Sequence, residues 1–162
     1  MMRLPLSLRA NERGAAIIEL ALAAPFFAAL VIGMVDMSRA YSMKLKLEQA
    51  AHRAIEKYQA AATMPTDFTA LGTEASTAAT AAGYSGSTAT VDYWLECNGT
   101  KTSETTGAAL SPATCSSGQT YARYVTVTVS NTYTPFFASR AWPGANAQGK
   151  IAVSGYAGMR VQ

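Results

Sequence analysis

Hydrophobic and polar positions divide this chain into zones of different period. From Ala15 to Val35 the residues are apolar almost without a break, about 21 in succession. That is the length a helix needs to cross a bilayer. Glu19 is the only charge in the run, and Pro25 sits within it, where a membrane helix accepts a kink. Asp36 and Arg39 end the run and are expected to pair or snorkel at the outer interface. Beyond them, Leu47, Ala51, Ala54, Ile55, Tyr58 and Ala62 recur at helical spacing, while Lys44, Glu48, Arg53, Glu56 and Lys57 lie mostly off that stripe. Nothing breaks a helix until Met64-Pro65. The spacing predicts one helix from Ala15 to about Ala62, roughly 70 Å long at 1.5 Å per residue.

The far half changes to a period of two. Val91, Tyr93 and Leu95 alternate with Asp92, Trp94 and Glu96 in a strand over 89–96. Val125, Val127 and Val129 alternate with Thr126, Thr128 and Ser130 in a strand over 121–131. Ile151, Val153, Ala157, Met159 and Val161 share a face in a strand over 150–161. A small antiparallel sheet with one apolar face follows, and the stripe around Leu47–Tyr58 is the available cover. The fold class is therefore α+β. Two readings fit the Thr/Ala/Ser/Gly-rich stretch before the strands. One is a short helix over Glu74–Ala82, capped by Thr73 and stopped by Gly83. The other is a low-complexity linker.

Composition narrows the function classes. The 162 residues carry a net charge of +3. Arg3, Arg9 and Arg13 against Glu12 supply +2 of it before residue 15. No basic face for nucleic acid is left in the remainder. Positive charge ahead of the apolar run predicts a cytoplasmic N-terminus and an exported C-terminal part. In an exported domain, Cys97 and Cys115 are naturally read as a disulfide; in a reducing compartment they would be free thiols. Two cysteines and a distant His52 do not make a metal set. No nucleophile, base and orienting group stand together, and no phosphate-binding glycine loop follows a strand, so we expect no enzyme, no cofactor and no small-molecule substrate. Tyr133, Phe136, Phe137 and Trp142 make an aromatic stretch that is either tucked under the sheet or a docking patch. Asn98-Gly99-Thr100 matches a glycosylation sequon, read as incidental.

The stretch with most information is Arg13-Gly14-Ala15-Ala16-Ile17-Ile18-Glu19-Leu20-Ala21. Gly14 offers a protease an unobstructed backbone at the membrane surface. Cutting after it would free an amine at Ala15. Glu19 would lie one turn further in, where a neighbouring subunit's amine could neutralise it. A lone carboxylate in lipid costs on the order of 2–3 kcal/mol, so a partner is expected. This arrangement resembles the prepilin cleavage site of type IV pilins. Together with Leu22, Pro25, Gly33, Asp36, Ser38 and Arg39 it is similar to the TadE-like pseudopilins of tight-adherence (Tad/Flp) pilus systems.

The resemblance implies a pilin-like layout, with a long helix, membrane-spanning in its first half, packed on a small antiparallel sheet. Residues 1–14 would be a leader, 15–36 the transmembrane helix, 37–64 its continuation, 65–88 an Ala/Thr/Ser-rich connection and 89–162 a β domain with the Cys97–Cys115 loop. A prepilin peptidase would recognise Arg13 and Glu19 and cut between Gly14 and Ala15. The mature minor pilin would sit in the bacterial inner membrane with a periplasmic domain, or enter a pilus used for adherence. Its partners would be other pilin-like subunits and the assembly platform. The competing expectation is a secreted or plainly anchored periplasmic binding domain. Ala21-Leu22-Ala23 looks like a signal-peptide cleavage site, but the apolar run continues well past it.

Overall fold

The structure, a computed structural model, describes residues 12–60, 68–106, 114–136 and 142–161. Two helices come first, α1 (Glu12–Gln59) and α2 (Thr69–Ala81). Four strands follow: β1 (Thr88–Cys97), β2 (Thr100–Thr106), β3 (Tyr121–Tyr133) and β4 (Ile151–Arg160). The strands form one antiparallel sheet in the order β2-β1-β3-β4. The chain divides into two compact units, Met1–Ser38 and Arg39–Gln162, and α1 contributes to both. The class is α+β with the expected pilin-like layout of a long N-terminal helix and a small antiparallel sheet.

In the first unit, α1 keeps its helix through Pro25, with apolar side chains exposed on every side. In the second, the same helix turns amphipathic. Met43, Leu47, Ala50, Ala51, Ala54 and Ile55 are buried, whereas His52, Arg53, Glu56 and Lys57 are exposed. The stripe read from spacing is thus the buried one. Burying a leucine such as Leu47 contributes on the order of 2 kcal/mol. The expected stop at Met64-Pro65 falls outside the described residues.

The sheet's inner face carries Val91, Tyr93, Leu95, Val125, Val127, Val129, Val153 and Ala157, all buried. Across β1 and β3 the register pairs Val91 with Val127 and Tyr93 with Val125, so like-facing β-branched and aromatic side chains stack directly. Small residues let the helices sink onto this face. A Cβ at Gly72 of α2 would touch Val91 Cγ2 at 3.4 Å. Gly155 of β4 is tighter still: a Cβ there would fall on the backbone nitrogen of Glu48 and 2.7 Å from its Cα.

Of the two readings before the strands, the helix is the one observed. It starts earlier than Thr73, because Phe68 at its N-cap is fully buried between Tyr58 and Tyr93, with ring centroids 5.4 Å and 5.5 Å away. No side chain caps it. Thr73 bonds back to the Thr69 carbonyl at 3.2 Å instead. Tertiary packing of an aromatic has overridden the local capping signal. At the other end Gly83, at φ +95°, supplies the left-handed residue of a Schellman stop. Gly83 N–H donates to Thr80 O and Tyr84 N–H to Ala79 O.

The sheet has four strands, not three. The unread strand is β2, which lies in what looked like a polar loop. Asn98 (φ 51°) and Gly99 (φ 77°) form a two-residue turn with both residues left-handed. That is the geometry a tight hairpin prefers. The Asn98-Gly99 pair is the sequence signal of this turn.

Seating α1 on β4 requires the bare backbone at Gly155. Gly155→Ala should therefore lower stability by roughly 1–3 kcal/mol, read as the urea midpoint of the full chain in detergent. An unchanged midpoint would contradict the seat. A second contact links the helices: Lys57 Nζ donates to Glu74 Oε2, and Arg53 Nε lies 3.9 Å from Glu74 Oε1. The hydrogen bond from Lys57, ahead of the Coulomb attraction of Lys57 and Arg53, holds the Glu74 carboxyl below its ordinary pKa. A depressed folded pKa contributes stability above the unfolded value, and this is lost as pH falls through the folded one. The stability gap between wild type and Glu74→Gln should be full at neutral pH and close on acidification below the ordinary carboxylate range. A gap independent of pH would refute the tether.

Candidate functional site

The residues singled out for processing lie in the first turns of α1. The helix already includes Glu12 and Arg13, so the Gly14–Ala15 bond lies inside its opening turn. Among the described residues, and apart from its chain neighbours and own helix backbone, nothing lies within 4 Å of where a Cβ at Gly14 would stand. Ala15 and Glu19 are exposed and four residues apart. On a helix that spacing puts them on one face, a single turn apart. The amide-rich end of the helix favours the negative charge. The side chain of Arg13 falls outside what the structure describes.

Around this carboxylate the surface is apolar. Ile17, Ile18, Leu20, Leu22, Phe26 and Phe27 are each 62–75% exposed. A contiguous apolar surface of this extent marks a membrane or protein contact. The length and composition of α1 fit a single-pass membrane anchor. Asp36 and Arg39 stand at the end of the apolar run. Asp36 is buried at 3% exposure, on the same face of α1 as Ala40, Met43 and Leu47, whereas Arg39 is exposed.

An unforeseen feature is a second stripe on α1. Met37 and Tyr41 are each 62% exposed and Leu45 is 40% exposed. Their four-residue spacing continues an uncovered apolar face beyond the charged end of the span. The spacing is legible in the sequence, on a different face from the buried stripe of Leu47 to Ile55.

The lower end of the sheet is tied covalently. Cys97, the last residue of β1, is bonded to Cys115, with a Cα–Cα separation of 5.7 Å. Hydrogen bonds repeat the tie next door. Asn98 N–H donates to Thr120 O at 2.8 Å, and Thr120 N–H donates to Asn98 Oδ1 at 3.0 Å. Beside the bridge is a cavity of about 280 Å³ bordered by Leu95, Cys115, Gln119 and Arg123, among others. Arg123 Nη1 there donates to the Tyr93 hydroxyl at 3.1 Å.

The many hydroxyls of α2 are used locally. Thr77 Oγ1 donates to Thr73 O at 2.8 Å and Thr80 Oγ1 to Ser76 O at 2.9 Å. They serve as polar helix surface. Among the described residues no three of His, Cys, Asp and Glu group as a metal set. The aromatic stretch is split: Tyr133 packs against the core, Phe136 is 73% exposed, Trp142 is half-buried, and Phe137 lies outside the described residues.

Serine at both Cys97 and Cys115 should cost about 3 kcal/mol by freeing the closed loop in the unfolded chain, while β1–β3 pairing survives through Asn98 and Thr120. Urea titration of the full chain measures the first part, and amide exchange of β3 the second. Loss of β3 protection would show that the bridge holds the register itself.

With this geometry in place, comparison with known proteins adds one finding. The family model described as TadE-like protein matches residues 14–55. The match begins at the uncovered Gly14 and runs to Ile55, the end of the buried stripe of α1. No curated protein and no solved structure matches the chain.

Proposed function

We propose that this chain, TadE-like over residues 14–55, is a membrane-anchored minor pilin (pseudopilin) that acts in assembling or initiating a Tad/Flp-type pilus for adherence. The observation that carries the reading is the carboxylate of Glu19 on an otherwise uncovered apolar helix, one turn beyond Gly14-Ala15 and inside the matched segment.

In this reading residues 1–14 are a leader, and a prepilin peptidase reading Arg13 and Glu19 cuts after Gly14. The cut frees an amine at Ala15. In lipid, the amine of one subunit and Glu19 of its neighbour neutralise each other, which removes a burial cost of about 2–3 kcal/mol for the carboxylate. Residues 15–36 span the inner membrane, and the sheet domain lies in the periplasm, where a disulfide persists. The stripe of Met37, Tyr41 and Leu45 extends the contact between subunits past the bilayer. The partners are pilin-like subunits and the inner-membrane assembly platform. The role is structural, with no reaction catalysed.

N-terminal sequencing of the mature protein tests the processing step. A start at Ala15 is expected. A start near Ala24 would point to a secretory signal instead, and an intact Met1 to a plain anchor. For assembly, Glu19→Ala should insert into membranes normally yet co-purify with partner subunits about tenfold less, the equivalent of roughly 1.4 kcal/mol. Undiminished recovery would remove the pairing role from Glu19.

A further inference from the structure

We draw no further inference here: the strongest candidate, the edge of β1 at Thr88–Val91, which lies beyond the register of β2 and borders the groove beside α2, carries nothing because nothing in the structure shows what covers it.

Discussion

The contact between the Leu47–Glu48 turn of α1 and the backbone of Gly155 governs the rest of the folded domain. A helix normally stands off a sheet by the length of the side chains between them. Here one strand position has no side chain, and the helix backbone rests on it. Leu47 is then brought to zero exposure, with Ala50, Ala51 and Ala54 alongside. Alanines suffice because the gap is narrow, and larger residues would push the helix off. The same logic holds for α2, where Gly72, Ala75 and Ala79 permit close approach and Phe68 fills the space between Tyr58 and Tyr93.

That seat gives α1 its division of labour. Its domain part buries one stripe and leaves charges outside, as expected of a helix in water. Its first part leaves apolar side chains such as Ile17, Leu22 and Phe26 uncovered. The first part fits a single-pass membrane anchor by length and composition, and in hydrocarbon a helix pairs most of its backbone groups within itself. Glu19 is the one group that hydrocarbon does not suit, which is why the proposed function turns on it.

The far end of the sheet is secured differently. A small domain has limited core, and its edges need other restraints. The Cys97–Cys115 bridge, the Asn98–Gly99 turn and the Asn98–Thr120 hydrogen bonds all act on the same end of β1. At the opposite end, Asn131 Nδ2 donates to Ser87 Oγ at 2.8 Å and fastens the entry to β1. Threonine and serine, abundant in the composition, are spent on such local bonds and on the wet surface of α2.

The sequence by itself determined whatever depends on period and length. The bilayer-length run, the buried stripe from Leu47 to Ile55 and the three long strands are visible because each repeats one choice over many residues. The Gly14–Glu19 spacing lies inside the stretch that the TadE-like family model matches. Tertiary structure decided what rests on single residues. Phe68 moved the start of α2 because a buried ring outweighs a cap. Asn98 and Gly99 made a hairpin whose second strand has no apolar alternation to announce it, since β2 is the polar outermost strand of the sheet. Gly155 reads as a weak point in a strand until α1 is placed on it. Periodic features repeat one signal along the chain; these others depend on neighbours distant in sequence, which only the folded chain brings within reach.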